Sequence, residues 1–431
     1  MNDFVIVGSG ICGLELGAML AHDGHRVKVL EKSSHYGGRA FLWEKDGFIV
    51  DNGIHLIRFG PKSATAQVFQ HLGQDLQFKD LGISYVLDED GKVKDFPTSP
   101  AGFLTTKMMS ITERFKTIGL VIKMRRQDPG SLLETSVEDW MMQTGLADGV
   151  RRYLIWVTAS MQVCPFTDRA SMGELILNFQ AVLKKGKSAM YPIHGWKPIY
   201  DALVSEIERE GEIRLNAKVD SVVVKDGRAT GVMVGEELIE AERVVVNLPC
   251  QQIFSVIDER NVDPAFVNMC KKQRPTAGVV LDYGLSRKIS NDSGLWYMWQ
   301  PMSFGMFTSN LCPEVAPKGK QLLTWFYPTN IEDMQDLEKA RKKSEEMEQA
   351  LHRLFPELEK AIQWRRVQHL QTVDGAEINV NQHRNKRPGY MVPGISNLYL
   401  VGDSLKGPGA GGDVGHESVL QCYEEITGRQ A

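Results

Sequence analysis

The feature that most constrains this chain is a glycine-rich turn between two apolar runs near its start. Asp3–Val7 predicts a strand. The strand leads into a G-x-G-x-x-G pattern made by Gly8, Gly10 and Gly13. Apolar residues at helical spacing follow, and Val27–Leu30 predicts a second strand that ends at Glu31. Glycines in such a βαβ unit permit a tight turn, the close approach of a pyrophosphate and close helix packing. The sequence therefore predicts a dinucleotide site on an α/β domain.

The residues around the glycines refine this prediction. Amide groups at the start of the predicted helix face the phosphate oxygens. Cys12 lies among them, and we expect it to fill space beside the pyrophosphate. Glu31 accepts hydrogen bonds from a ribose 2′-hydroxyl and repels a 2′-phosphate, which argues against NADP at this site.

Three further segments carry glycine and acidic residues at points far apart in the chain. They are Gly37-Gly38-Arg39, Asp51-Asn52-Gly53-Ile54-His55 and the C-terminal run from Gly402-Asp403 to Gly412-Asp413-Val414. Together with the N-terminal pattern, they resemble the flavin amine oxidase and phytoene desaturase superfamily of FAD-dependent oxidoreductases. Thr372–Gly375 and Arg387–Gly389 favour the phytoene desaturase branch.

The resemblance implies FAD, held without a covalent bond. In the family, the acid matching Asp403 contacts the ribityl chain, a valine matching Val219 meets the adenine, and the residues matching 412–414 approach the flavin pyrimidine edge. A helix N-terminus at that edge favours the negative charge of reduced flavin. The cofactor-binding residues that we expect are Gly8, Gly10, Cys12, Gly13, Glu31, Lys32, Gly38, Arg39, Asn52, Gly53, Ile54, Val219, Asp403, Gly412, Asp413 and Val414.

The order of these segments predicts the domain organisation. We expect a Rossmann-type FAD-binding domain assembled from residues 1–60, 190–262 and 381–431. Residues 61–189 and 263–380 are expected to form an inserted mixed α+β substrate domain. The first insertion is rich in helical patterns, and the second combines strands with a long charged helix at 331–355.

Two departures from the amine oxidases bear on the reaction. Flavin amine oxidases carry a lysine, water-bridged to flavin N5, on the strand that matches Ala277–Tyr283, and this chain has no lysine there. The C-terminal glycine loop also lacks the aromatic residue of the amine oxidase cage. Both absences argue against amine oxidation. The resemblance to phytoene desaturases implies hydride exchange between flavin N5 and a lipophilic substrate, with desaturation or saturation of a C–C bond in an isoprenoid- or polyene-like compound. A flavin amine oxidase, a redox-neutral flavin-dependent isomerase and a prenyl-binding relative without turnover, such as the Rab GDP-dissociation inhibitors, remain alternatives.

Such a reaction also moves a proton, so a general acid or base is expected near the flavin. The candidates are His55, His194, Asp413 and His416. Aromatic residues that are expected to line an apolar substrate pocket are Trp196, Trp296, Tyr297 and Trp299. For every one of these histidines and aromatic residues, the alternative is an ordinary structural role in the core.

Composition limits the partners. The formal net charge of −4 gives no basic footprint for nucleic acid. Six cysteines without a C-x-x-C pair indicate reduced thiols in a cytoplasmic protein, without a disulfide framework or a metal site. The basic, apolar stretch Phe103–Arg126 predicts either contact with a membrane surface or an ordinary core helix pair. Gly407, Gly409 and Gly412 lack a following acid-tipped strand, so we expect no nicotinamide site, and electrons would pass to oxygen, a quinone or a redox protein.

Overall fold

A computed structural model describes residues 2–186 and 189–429 of the chain, and most of its strands fall into two sheets. In chain order the strands are β1 (Asn2–Val7), β2 (Val27–Leu30), β3 (Leu42–Lys45), β4 (Phe48–Asp51), β5 (Phe78–Asp80), β6 (Ser84–Leu87), β7 (Val93–Phe96), β8 (Met190–Pro192), β9 (Glu212–Arg214), β10 (Ser221–Lys225), β11 (Arg228–Val234), β12 (Glu237–Val246), β13 (Ala277–Leu285), β14 (Trp296–Met298), β15 (Ser303–Met306), β16 (Gln321–Thr329), β17 (Ile362–Leu370) and β18 (Leu398–Leu400). The helices are α1 (Ile11–His22), α2 (Ala64–His71), α3 (Pro100–Thr105), α4 (Ile111–Arg126), α5 (Val137–Thr144), α6 (Asp148–Met161), α7 (Met172–Lys185), α8 (Lys197–Glu208), α9 (Pro264–Lys271), α10 (Thr308–Leu311), α11 (Ile331–Gln335), α12 (Leu337–Leu354), α13 (Leu358–Ala361) and α14 (Gly412–Thr427).

The first sheet carries the dinucleotide fingerprint. Its strands run in the order β10-β11-β12-β1-β2-β9, and β18 also pairs with β12. The pairs that β1 makes with β12 and β2 are parallel, as are those of β2 with β9 and of β12 with β18. Phe4, Val5 and Ile6 in β1 have no solvent exposure, as expected for a parallel sheet covered on both faces. Because its strands come from residues 2–30, 212–246 and 398–400, this sheet confirms the predicted Rossmann-type α/β fold assembled from separated segments.

The second sheet joins the two insertions. Its order is β17-β13-β16-β15-β14-β6-β7, and its pairs are antiparallel except for β14 with β6. Strands β6 and β7 come from the first insertion and the other strands from the second, so the mixed α+β substrate region is one sheet with helices around it. All nine residues of β13, which lies between β17 and β16, are buried.

The predicted domain limits remain predictions. Strand β5 belongs to the first predicted insertion, and β8 begins the second predicted cofactor segment. The two strands pair in one two-stranded sheet, which therefore joins regions on both sides of the predicted limit at residue 190. Residues 1, 187–188 and 430–431, which fall in the predicted ranges, lie outside the described residues.

The helix predicted over 331–355 is two helices. The break falls at Asp336, which has extended backbone torsions and whose side chain accepts hydrogen bonds from the amides of Glu338 and Lys339. An aspartate at a helix N-cap satisfies amides that have no partner within the helix, so Asp336 begins α12 instead of continuing α11.

Candidate active site

A cavity of about 2250 Å³ extends from the dinucleotide fingerprint to the helices of the first insertion. Most of the predicted cofactor residues line it, namely Gly8, Gly10, Cys12, Glu31, Lys32, Gly38, Arg39, Asn52, Gly53, Ile54, Val219, Asp403, Gly412 and Asp413. Gly13 and Val414 are the two predicted cofactor residues that are not among its lining. The fold therefore brings residues from all three cofactor segments to one cavity.

The glycine turn is shaped by Asn247, which follows β12. A Cβ on Gly8 would lie 2.8 Å from the Asn247 carbonyl oxygen, and one on Gly10 would lie 2.6 Å from Asn247 Oδ1. The amide of Gly13 donates a 3.2 Å hydrogen bond to the same Oδ1. A Cβ on Gly13 would lie 2.5 Å from the Gly8 carbonyl oxygen, which is why Gly13 packs against the turn and does not face the cavity. The turn therefore requires glycine for packing as well as for ligand access.

Glu31 closes β2 as a fixed, ionised carboxylate. Its Oε2 accepts 2.9 Å hydrogen bonds from the amide and the hydroxyl of Ser9, and its Oε1 accepts one of 2.9 Å from the amide of Ser33. Burial acts to raise the pKa of Glu31, but these hydrogen bonds outweigh it, and the pKa is lowered. The carboxylate is therefore charged at neutral pH, and Glu31 lines the cavity.

Arg39 and Asp403 join the first cofactor segment to the last. Arg39 Nη1 and Nη2 lie 2.9 and 2.7 Å from the two Asp403 carboxylate oxygens, and Nη1 also donates to the Val373 carbonyl. The amide of Gly375 donates to Asp403 Oδ2 at 2.8 Å. Burial acts to raise the pKa of Asp403, but Arg39 outweighs it, and the pKa is lowered. This end of the cavity therefore holds an ionised pair that bridges chain segments far apart in sequence.

Three of the four predicted acid–base residues line the cavity, namely His55, Asp413 and His416. His55 Nε2 lies 3.2 Å from the carbonyl oxygen of Asn52, and burial lowers its pKa. Arg58 Nη1 donates to Asp413 Oδ2 at 2.8 Å. His55 and Asp413 therefore each have a hydrogen-bonding partner at the cavity wall.

The fourth predicted residue, His194, is not among the residues that line the cavity. Its side chain is 67% exposed, and its Nδ1 lies 3.0 Å from Glu314 Oε1. The turn after β8 carries the chain back to the surface before α8 begins, so His194 does not line the cavity although Trp196 does.

Two of the four predicted aromatic residues line the cavity and two do not. Trp196 and Tyr297 line the cavity, and Trp196 Nε1 donates to the His55 carbonyl at 3.0 Å. Trp296 lies on the opposite face of β14 from Tyr297, because neighbouring residues of a strand point to opposite faces, and it packs against Tyr85 and Phe355. Trp299 follows the strand and packs edge-on against Trp156, outside the lining.

Sequence reasoning missed several residues that line this cavity or act on those that do. Arg58 holds Asp413 and also donates to Asn178. Asp374 lines the cavity, and burial, together with the nearby negative charge of Asp403, raises its pKa to about 7. Glu15, buried in α1, contacts His416. Two of them had a sequence signal, because Glu15 is a charged residue within an apolar helix and Asp374 belongs to the Thr372–Gly375 segment. The contacts of Arg58 depend on the tertiary fold.

The far end of the cavity is apolar. It is lined by side chains from β7 and from the helices of the first insertion, including Phe96, Phe103, Ile118, Val121, Ile122, Tyr153, Val157 and Met161. An apolar lobe of this kind suits a lipophilic ligand.

The stretch 103–126 has two faces in the structure. Leu120 and Met124 are buried, whereas Ile111, Phe115 and Ile122 are 68%, 65% and 51% exposed. Among the residues that the structure describes, no helix is both long and apolar enough to cross a bilayer. Contact with a membrane surface therefore stays a prediction.

Of the six cysteines, Cys12 lines the cavity. All six cysteines are free and buried, and burial raises the pKa of Cys12 well above its usual value. Within residues 2–186 and 189–429, no three histidine, cysteine, aspartate or glutamate side chains are grouped to hold a metal ion.

Comparison with known proteins identifies the family. The family model described as flavin containing amine oxidoreductase matches residues 11–414. The chain therefore belongs to this family, and the family implies a flavin cofactor. The predicted membership of the superfamily and the prediction of a flavin-dependent oxidoreductase are both confirmed.

Individual relatives include two desaturases. The zeta-carotene-forming phytoene desaturase of Myxococcus xanthus is 23% identical over 335 residues, which span 66% of this chain and 60% of that protein. The 15-cis-phytoene desaturase of Narcissus pseudonarcissus is 23% identical over 474 residues, covering 99% of this chain and 81% of that protein. A hydroxysqualene dehydroxylase of Zymomonas mobilis is 37% identical over 76 residues, which are 17% of this chain and 18% of its own length. The chain thus spans less than two thirds of the first and third of these relatives.

Solved structures share the fold over nearly the whole chain. An oxidoreductase from Methanosarcina mazei superposes with a TM-score of 0.82 at 21% identity, covering 98% of this chain and 99% of that chain. Putrescine oxidase bound to putrescine superposes with a TM-score of 0.74 at 16% identity, covering 99% of each chain. At these identities the likeness defines the fold alone.

Proposed function

We propose that this protein is an FAD-dependent oxidoreductase that exchanges a hydride between FAD and a lipophilic, isoprenoid- or polyene-like substrate. The reaction is the desaturation or saturation of a C–C bond. The observation that carries the proposal is the continuity of the cavity, which joins the dinucleotide fingerprint at Gly8 and Glu31 to the apolar lobe around Tyr153 and Val157. Likeness to the two phytoene desaturases supports the substrate class.

The residues at the fingerprint end fit FAD. Glu31 would hold the adenosine ribose, the turn at Gly8–Gly10 and the N-terminus of α1 would hold the pyrophosphate, and the Arg39–Asp403 pair would hold the ribityl region. The N-terminus of α14 would face the flavin pyrimidine edge. Bound there, FAD supplies the centre that gives or takes the hydride, and the protein supplies orientation and electrostatics.

The substrate end supports carbon–carbon chemistry over amine chemistry. Strand β13, whose nine residues are all buried, reads Ala-Gly-Val-Val-Leu-Asp-Tyr-Gly-Leu, without a lysine. The apolar lobe would align a long hydrocarbon and exclude water from the reacting carbon. Electrons would then leave to oxygen, a quinone or a redox protein, because the C-terminal glycines 407–412 lead into α14 and not into a strand that ends in an acid.

Flavin content and anaerobic bleaching test the proposal together. We expect a yellow protein that releases intact FAD on denaturation. Anaerobic mixing with polyene or isoprenoid candidates should bleach the flavin absorbance, whereas primary and secondary amines should not, and NADH or NADPH should act slowly at most. The products are followed by chromatography.

Each other outcome points elsewhere. Bleaching by amines alone would support an amine oxidase, and rearranged polyene without net bleaching would support a redox-neutral isomerase. Rapid stoichiometric reduction by NADPH would reveal a nicotinamide site and a reductase. A colourless protein that FAD does not reconstitute would favour a prenyl-binding protein without turnover.

We also propose that the exposed side of α4 rests on a membrane surface, so that a lipophilic substrate enters without crossing water. Ile122 and Leu183 are half exposed and also line the cavity, so the rim of the cavity is apolar. Basic residues interleave with the apolar ones along this stretch, namely Lys107, Arg114, Lys116, Lys123, Arg125 and Arg126. Exposed apolar side chains interspersed with basic residues match an anionic lipid surface.

Vesicle co-sedimentation checks the membrane proposal. Wild-type protein should sediment with vesicles of phosphatidylcholine and phosphatidylserine and less with phosphatidylcholine alone. The double variant Ile111→Ser/Phe115→Ser should lose most of this binding. Met142→Ser is the control, because Met142 is equally exposed at 62% but lies on α5. Equal sedimentation of all three proteins would contradict the proposal.

A further inference from the structure

Helix α1 carries a buried carboxylate that dinucleotide binding does not require. The side chain of Glu15 has no solvent exposure, and its neighbours Leu14 and Leu16 are equally buried. Both of its carboxylate oxygens lie close to Nδ1 of His416 on α14, at 2.9 and 2.8 Å. An unpaired buried carboxylate is costly, so the pairing with His416 is what makes Glu15 tolerable at this position.

The pairing fixes how His416 presents its second nitrogen. Because Nδ1 faces two acceptor oxygens, it carries a hydrogen and donates it to Glu15. His416 lines the cavity, and its Nε2 lies 3.9 Å from the position a Cβ would take on Gly412, the first residue of α14. The Trp196 ring lies nearly parallel to the imidazole, with 6.3 Å between centroids. The ring is thus held by Glu15 on one edge and by Trp196 on one face.

Charged groups from several elements surround the ring. Besides Glu15 from α1, Asp413 and Glu417 act from its own helix, and His55 acts from the loop after β4. Two cations lie one contact away, since Arg58 pairs with Asp413 and Lys185 lies 3.5 Å from Glu417. Burial acts to lower the pKa of His416, but Glu15 and the other carboxylates outweigh it, and the pKa is raised.

We propose that Glu15 and His416 form a dyad in which Glu15 keeps a proton on His416, so that the imidazolium presents positive charge to the flavin end of the cavity. The inference rests on the proposed function, because the N-terminus of α14 is where the negative charge of reduced flavin would collect. Glu15 is a positioning residue, since it acts through His416. The N-terminus of α14 and the imidazolium are both positive, so both would favour the negatively charged, reduced cofactor.

The midpoint potential of the bound flavin, measured against pH in the holoenzyme, tests the dyad. In wild type, the plot of midpoint potential against pH should become steeper at the pH where His416 loses its proton. We call this change of slope the bend. In Glu15→Gln, which keeps size and an acceptor for Nδ1, the bend should move to lower pH. In His416→Gln the bend should vanish, and the potential at neutral pH should fall below that of wild type.

A matched control is available on the other side of α1. Glu206 on α8 pairs with His22 Nδ1 at 3.0 Å and with Arg209 at 2.8 Å, and neither Glu206 nor His22 lines the cavity. Glu206→Gln should leave the potential curve unchanged. A merely structural role for Glu15 would lower the melting temperature of Glu15→Gln without moving the bend, and that result would overturn the inference.

Histidine nitrogen resonances decide the point without relying on turnover. The His416 signal is assigned by its loss in His416→Gln. Its titration should show that the proton affinity of His416 is at least tenfold lower in Glu15→Gln than in wild type. Unchanged titration would overturn the dyad even in a fully yellow protein. A protein that binds no FAD would defeat the proposed function and the proposed electrostatic role. The titration would still show whether Glu15 keeps the proton on His416.

Discussion

Replacing Glu31 by lysine is expected to yield protein almost free of flavin, and Glu31→Ala protein only partly loaded. Glu31 is 6% exposed and accepts hydrogen bonds from Ser9 and Ser33 in addition to its proposed ribose contact. Alanine leaves the buried Ser9 donors without their acceptor, at a cost of about 1–3 kcal/mol for each such group. Lysine adds an ammonium group where two serines present donors, so the glycine turn itself should be displaced.

The ratio of flavin to protein absorbance after purification measures this effect. Glu236→Lys is the matched control, because Glu236 is exposed in the turn between β11 and β12 and makes the same charge change. Full flavin occupancy in both Glu31 variants would contradict the prediction that Glu31, at the end of β2, binds the ribose.

Glu31 was predictable because everything that defines it is local in sequence. The strand, the glycines and the acid fall within one βαβ unit, whose geometry fixes where the acid lies. Gly38 and Arg39, by contrast, were predicted from the resemblance to the flavin amine oxidase and phytoene desaturase superfamily. The separated cofactor segments and the two insertions were predicted from the resemblance. The cofactor segments meet in one sheet because β12 pairs with both β1 and β18.

The contacts that sequence reasoning missed are those between distant segments. Glu15 and His416 are 401 residues apart, and no local pattern states that α1 and α14 pack together. Trp296 and Tyr297 are adjacent aromatic residues, and only the orientation of β14 decides which one faces the cavity. His194 lies two residues before Trp196, and a turn separates a surface side chain from a buried one.

The second large effect is expected from Arg366→Met on β17. Arg366 Nε and Nη2 donate to Asp282 Oδ2 at 2.9 and 2.7 Å, and Thr324 Oγ1 donates to Oδ1 at 2.9 Å. The Asp282 side chain has no solvent exposure and that of Arg366 is 14% exposed. Removing one partner of such a buried pair costs about 3–5 kcal/mol, because the remaining charge stays buried. We expect a loss of this size in the free energy of unfolding, measured by denaturant titration.

The adjacent residue provides the control. Arg365 on the same strand is 53% exposed and pairs with Glu348 at the surface. Exposed ion pairs contribute about 0–1 kcal/mol, so Arg365→Met should change the free energy of unfolding little. The double variant Asp282→Asn/Arg366→Met should recover much of the loss, because it removes the buried charge itself.

The pH dependence of Arg366→Met has a definite sign. Burial raises the pKa of Asp282 even though Arg366 and Thr324 act to lower it. Without Arg366 the pKa of Asp282 should rise further, so the folded state holds this proton more tightly than the unfolded chain does. A raised carboxyl pKa gives stability that is present below the unfolded value of about 4 and is lost as pH rises through the folded value. The deficit of Arg366→Met should therefore be largest at neutral pH and shrink on acidification, whereas a deficit that is constant with pH would show that Arg366 stabilises the sheet by packing on Trp43 and not by neutralising Asp282.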